Sequence, residues 1–199
     1  MGANKHIIYY SFLNKLAKEL SNFYFKKLNK TFSVTNKHRG KGYDPVTTSD
    51  RAFEKFIRSK ISKKFPGHQI IGEEFGRTKS KSDYSWIIDP IDGTNNYIHN
   101  YPFFCVSIAL MIDGVIAHGS IYDPNRKEFF YSEKGGGCYL NDKPILVSSN
   151  HNLSQTLLCT GFITSNKKYA QANVENFKNL LYKCRSIRGD GSAALDLAY

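Results

Sequence analysis

The 199-residue chain reads as a layered α/β sandwich of the α+β kind, with helices laid over a mixed sheet. Three observations predict this class: an opening amphipathic helix pattern, apolar runs that end in acidic turns after a second helix, and a later series of strands punctuated by hairpin signals. Residues 6–28 form the first helix, with Ile7, Phe12, Leu13, Leu16, Leu20 and Phe23 recurring at helical spacing as core side chains. A Gly-rich link at residues 39–42 leads to a second helix over residues 49–65, which Ser and Thr hydroxyls cap and Pro66-Gly67 ends. Gln69-Ile70-Ile71 and Trp86-Ile87-Ile88 read as interior strands. Residues 106–111 and 115–122 flank Asp113-Gly114, a two-residue hairpin signal. Residues 128–131 and 138–140 surround Gly135-Gly136-Gly137, a turn rather than a phosphate loop, since no Gly-Lys-Ser/Thr ending comes after it and no helix opens there. A strand at residues 157–160, a helix at 168–182 and a further helix from Ser192 complete the pattern.

The stretch Asp89-Pro90-Ile91-Asp92-Gly93-Thr94-Asn95-Asn96-Tyr97 carries most of the chemistry. Pro90 biases Asp89 toward extended geometry and forbids a continued ladder, which sets Asp89 and Asp92 on a tight turn. Gly93 permits close backbone approach, and the N–H groups of Gly93, Thr94 and Asn95 open a short helix suited to an anion. Carboxylates beside a phosphate repel it unless a cation lies between them, which points to Mg²⁺ on oxygen ligands. A plain strand-terminal turn with solvated acids is the simpler reading of the motif taken alone. Gly72-Glu73-Glu74 supplies a second acidic strand end, ahead of a flexible, lysine-rich loop at residues 77–82. Adjacent strands ending in acids bring Glu73, Asp89 and Asp92 into one cleft, the density of negative oxygen that divalent cations need. Asp50, after Thr47-Thr48-Ser49, reads by itself as a first-turn helix acid ahead of a catalytic group.

Together, Asp44-Pro45-Val46-Thr47-Thr48-Ser49-Asp50, Ile71-Gly72-Glu73-Glu74, the Asp89 segment with His99 and Pro102, and Gly191-Ser192-Ala193-Ala194-Leu195-Asp196-Leu197-Ala198 resemble the inositol monophosphatase family, of the lithium-sensitive, Mg²⁺-dependent phosphatase superfamily. The resemblance runs from the first helix to the last residue and implies a sugar-phosphatase-like αβαβα fold. It implies Glu73, Asp89 and the Ile91 carbonyl as ligands of a first metal, with Asp89 and Asp92 contributing to a second. It also implies a catalytic set of Asp50, Thr94 and Glu73, in which Thr94 and Asp50 orient the attacking water, and substrate contacts from Gly93, Thr94 and Asp92. A basic residue before the second helix belongs to the pattern, and Arg39 or Lys41 fills that place. The expected reaction is hydrolysis of a small phosphorylated polyol, inositol 1-phosphate first, by direct attack of water without a phosphoenzyme. Histidinol phosphate or another sugar phosphate is the alternative substrate, and a non-catalytic RNA or transcription-complex partner of the bacterial suppressor type is the alternative role. A further ligating Asp in a Trp-Asp motif is implied beyond the Ala-Leu-Asp-Leu helix, and no segment here resembles it. The expectation is therefore a metal-bearing half at residues 1–145, an incomplete second half at 146–199, impaired activity, and a homodimer for the full-length protein.

Composition fits a cytoplasmic enzyme, with 41% hydrophobic and 23% charged residues, no signal-peptide pattern and no apolar run long enough to span a membrane. Cys105, Cys138, Cys159 and Cys184 form no C-x-x-C pair and read as buried thiols in a reduced compartment. His99 borders the motif and reads as a loop-packing residue. The net charge of +11 reads as lysine-rich solvated faces that steer anionic substrates, in the absence of any nucleic-acid-binding motif.

Overall fold

The computed structural model describes residues 3–27, 33–36, 45–162 and 167–199. Arg39 and Lys41 lie outside them. The first helix, α1 (Ala3–Lys27), buries Tyr9, Leu13, Leu16, Ala17, Leu20 and Tyr24, a stripe at spacings of three and four. Ile7, expected in the core, is 62% exposed: two residues before Tyr9 it points about 200° away from the stripe. A two-stranded antiparallel ribbon of β1 (Val34–Asn36) and β2 (Pro45–Thr47) leads into α2 (Thr48–Lys64). Phe53, Ile57 and Ile61 of α2 face the core, and Pro66-Gly67 turns the chain after Phe65 caps the helix.

Beneath the helices lies one eight-stranded sheet. It comprises β3 (Gln69–Gly72), β4 (Gly76–Arg77), β5 (Tyr84–Asp92), β6 (Cys105–Ile112), β7 (Val115–Asp123), β8 (Glu128–Glu133), β9 (Gly137–Leu140) and β10 (Lys143–Ile145). The order is β10-β9-β8-β7-β6-β5-β3-β4, with β3 and β5 parallel and the other pairs antiparallel. The β6–β7 hairpin turns at Asp113 and Gly114, whose φ values of 50° and 77° are the left-handed pair a tight hairpin requires.

Period-two alternation sends Trp86 and Ile88 of β5, and Val106, Ile108, Leu110 and Ile112 of β6, against α1 and α2. Trp86 is fully buried, ringed by Tyr9, Phe12, Phe65 and His68, and its Nε1–H donates to His68 Nδ1 at 3.1 Å. Burial lowers the His68 pKa, which keeps that acceptor nitrogen unprotonated. Ile87 takes the other face and is 37% exposed, so β5 is interior to the sheet as expected but is open to solvent at Ile87 on its second face. On that second face Cys105 and Phe130 pack with Leu195 of the closing helix α5 (Ala193–Ala198).

Pro90 does not end β5. The strand continues to Asp92 by a bulge: Asp89 pairs Ser107 and Asp92 pairs Cys105, so Pro90 and Ile91 together oppose Val106. The segment after β4 is tied down as well, with Thr78 N–H donating to the Ile70 carbonyl at 2.8 Å and Gln69 Nε2 to the Ser80 carbonyl at 2.7 Å. Beyond β10, the parallel pair β11 (Leu157–Cys159) and β12 (Ser186–Arg188) flanks α4 (Lys167–Leu181), none of whose described side chains is buried. Of the cysteines only Cys105 is buried; Cys138 and Cys159 are exposed and Cys184 is half-buried, so the all-buried expectation fails where β9 and β11 present a face to solvent. No described helix is long and apolar enough to cross a membrane.

Trp86→Ala should cost about 3–5 kcal/mol of stability, and Ile87→Ala, one residue along on the exposed face, under about 1 kcal/mol. Urea denaturation of the two variants checks it; equal losses would overturn the assigned faces.

Candidate active site

The parallel β3–β5 register pairs Gly72 with Ile88, so the next residue on each strand, Glu73 and Asp89, leaves the same end of the sheet side by side. Glu73 N–H donates to the Ile88 carbonyl at 3.2 Å, which fixes that alignment one residue past the ladder. The carboxyl groups of Glu73 and Asp89 are hydrogen-bonded to each other, so one must hold a proton in the absence of a cation. Burial first, then the charges of Glu73 and Asp92, push the Asp89 carboxyl up to about 8. The Ile91 N–H donated to Asp89 Oδ1 at 3.2 Å opposes this only in part.

Asp50 reaches the same end of the sheet from the first turn of α2. It is 2% exposed, and its Oδ2 accepts from the N–H of Thr47 at 2.7 Å and from the Thr47 hydroxyl at 2.5 Å, while the Thr47 hydroxyl caps the Ser49 and Asp50 amides. This is a Thr-x-x-Asp form of the capping box. The other oxygen, Oδ1, lies 3.3 Å from Thr94 Oγ1, so one carboxylate both caps α2 and reaches Thr94. Burial raises the Asp50 pKa, against the hydrogen bonds from Thr47 and Thr94. Thr94 Oγ1 also lies 3.0 Å from the Ile91 carbonyl, bridging the two oxygens with its single proton.

Gly93 caps the short helix α3 (Thr94–Ile98) with φ +96°. A Cβ there would meet the Phe103 carbonyl and Phe104 Cβ at 3.1 Å each and the Gly191 carbonyl at 3.3 Å, so both conformation and space call for glycine. Asp92 turns toward the closing segment: its Oδ2 accepts the Ser192 hydroxyl at 2.5 Å and the Ala194 N–H at 2.7 Å. Asn96 makes a parallel tie, donating to the Phe103 carbonyl at 2.7 Å and the Asp190 carbonyl at 2.6 Å. His99 is exposed at the end of α3, with Nδ1 2.8 Å from the Asn95 carbonyl. The Cys105 thiol lies 3.8 Å from Asp92 Oδ2, and burial pushes its pKa up, so it offers no thiolate nucleophile.

The structure thus gathers Glu73, Asp89, Ile91, Asp92, Gly93, Thr94 and Asp50 around one end of β5. Sequence reasoning missed the Asp92–Ser192 tie, which spans 100 residues and leaves no local trace. It also passed over Glu54, a carboxylate on the apolar face of α2 between Phe53 and Ile57, where its place in the stripe was the available signal. A third omission is the close grouping of Cys159, Asp190 and Asp196, whose ligand atoms lie within 4.8 Å of one another beside the closing helix.

A mixed sheet under two helices, with carboxylates gathered at one strand end, is the architecture of the inositol monophosphatase fold. The protein resembles a Bartonella henselae extragenic suppressor SuhB structure with a TM-score of 0.85 at 32% identity, covering 99% of this chain and 74% of that one. It likewise resembles the Thermotoga maritima IMPase with a TM-score of 0.84 at 33% identity, covering 95% and 70%. The chain belongs to the inositol monophosphatase family, whose sequence profile matches residues 9–199. Among curated relatives, the Nus factor SuhB of Xylella fastidiosa is 37% identical over 187 residues, 93% of this chain and 66% of that protein. Inositol monophosphatase 1 of Solanum lycopersicum is 41% identical over 167 residues, 81% of this chain and 61% of that protein. The chain therefore spans about two thirds of the length of these relatives.

The raised carboxyls set a pH dependence. An unfolded Asp loses its proton near 4, whereas Asp89 holds one up to about 8, so between these values the native state binds more protons than the unfolded chain. Stability of the chelator-treated protein should therefore fall as pH rises from about 5 to about 8, with Asp50 adding the same sign. Thermal melts across that window check it; a profile no steeper than that of Asp89→Asn would refute the crowding.

Proposed function

We propose that this protein is an Mg²⁺-dependent phosphomonoester hydrolase acting on a small phosphorylated polyol, inositol 1-phosphate first. The observation that supports this most is the side-by-side placement of Glu73 and Asp89 with Asp92 in electrostatic reach, a crowded group of acids that a shared proton or a cation relieves. The donor set suits a hard cation: carboxylates of Glu73, Asp89 and Asp92 with the Ile91 carbonyl, all oxygen. In this reading Glu73, Asp89 and the Ile91 carbonyl hold a first Mg²⁺, and Asp89 and Asp92 contribute to a second. Bound Mg²⁺ would acidify a water and neutralise phosphoryl oxygens.

The chain's own groups supply the rest. Thr94 has one hydroxyl proton and two acceptors, Asp50 Oδ1 and the Ile91 carbonyl, so its lone pairs are turned outward to accept from a water. Asp50, anchored through Oδ2 by Thr47, fixes that hydroxyl and so orients the water. The amides of Gly93 and Thr94 are the proposed phosphate contacts. The chain's net charge of +11 favours arrival of an anion.

A second reading, association with RNA in a transcription complex, is favoured by the lysines Lys60, Lys63 and Lys64 on α2 and by relatives named Nus factor SuhB. Salt-dependent RNA binding that persists in Asp89→Asn, with no turnover in either protein, would support it over hydrolysis.

Asp89→Asn should weaken Mg²⁺ binding and abolish turnover, while Asp113→Asn, in the β6–β7 turn, leaves both unchanged; calorimetry with Mg²⁺ decides, and equal affinities would sink the ligand assignment. Thr94→Ala should keep Mg²⁺ affinity and lower kcat about a hundredfold, since it loses orientation rather than a ligand. A change confined to KM would move Thr94 from positioning water to binding substrate.

A further inference from the structure

Glu54 is a carboxylate with no solvent exposure, set in the apolar face of α2. Such a charge is retained only where its lone pairs and its counter-charge are supplied locally. Here the partners come mostly from the turn that carries Glu73. Glu54 Oε2 accepts the Glu74 N–H at 2.6 Å, and Oε1 accepts the Phe75 N–H at 3.3 Å. Arg58, one helical turn on, donates Nε–H to Oε1 at 2.6 Å and reaches the Gly76 carbonyl with its other nitrogen.

Glu54 and Arg58 thus grip the turn on both sides, at the amides just after Glu73 and at the carbonyl that closes it. Gly72 makes this possible: a Cβ on it would fall 1.9 Å from Glu54 Oε1 and 2.8 Å from Oε2, so the carboxylate occupies the volume any side chain would take. Phe75 then lies under Lys55 and Arg58, with cation-to-ring distances of 5.4 and 6.0 Å.

We propose that Glu54 is a positioning residue for the metal site, holding the turn at Glu74 and Phe75 so that Glu73 meets Asp89 at the end of β5. This rests on Glu73 acting as a metal ligand, and it adds that the ligand's placement is set from α2, a different layer of the fold. Groups that orient ligands typically cost about tenfold to a hundredfold in metal affinity when removed.

The test uses the full chain and three variants. Glu54→Leu removes the acceptors, Glu54→Gln keeps one carbonyl oxygen for the amides, and Ile61→Ala lowers stability through a cavity in the same helix without touching the turn. Mg²⁺ affinity by calorimetry, well below each melting temperature, should fall about tenfold or more in Glu54→Leu, recover most of the way in Glu54→Gln, and stay within about twofold of wild type in Ile61→Ala. Hydrogen exchange at Glu74 and Phe75 should accelerate in Glu54→Leu and not in Ile61→Ala. Wild-type affinity in Glu54→Leu, or an equal loss in Ile61→Ala, would overturn the positioning role. Absence of Mg²⁺ binding by the wild-type chain would overturn the ligand reading of Glu73 itself, and this proposal with it.

Discussion

The parallel pairing of β3 with β5 is the constraint on which the rest of the molecule depends. In an otherwise antiparallel sheet, this one pair brings two strands out at the same end, so the residues after Gly72 and Ile88 emerge together. An antiparallel arrangement would have sent Glu73 and Asp89 to opposite ends. The alignment of these acids is therefore set by backbone hydrogen bonds and by the Trp86 and Ile88 packing behind them. The apolar face under α1 and α2 supplies the stability that the acidic end subtracts.

The bulge at Pro90 and Ile91 has a related role. One extra residue on β5 rotates the chain beyond it, so the Ile91 carbonyl meets the Thr94 hydroxyl while Asp92 faces Ser192 and Ala194. Proline suits the place because the ladder is already broken there and loses no bond to its missing N–H. Thr47 and Asp50 show the same economy, since the box that starts α2 also aims Asp50 Oδ1 at Thr94.

Much of this was legible in the sequence because it is local. Helix periodicity, Asp113-Gly114, the Pro66-Gly67 stop and the acids after apolar runs all act within a few residues, and the elements they mark are present. What escaped depends on partners far along the chain. Ile7 fitted a helical spacing, but only the tertiary position of Tyr9 decides which stripe is inside. Pro90 looked like a strand end, because nothing local tells a bulge from a terminus. Glu54 is a helix acid in sequence terms, and its role appears only when the Glu73 turn folds against it.

The tie from Asp92 to Ser192 and Ala194 has a consequence in time as well as in space. The two ends lie 100 residues apart, so during synthesis at about 5–20 residues per second the partner of Asp92 is made roughly 5–20 s after Asp92 itself. For that interval the nascent chain carries an acidic strand end whose outward oxygen lacks its two closest donors, the Ser192 hydroxyl and the Ala194 N–H. The first-made sheet must therefore persist, or rearrange repeatedly, before its closing helix arrives, and a chaperone that shields the Cys105–Phe130 face would act in that window.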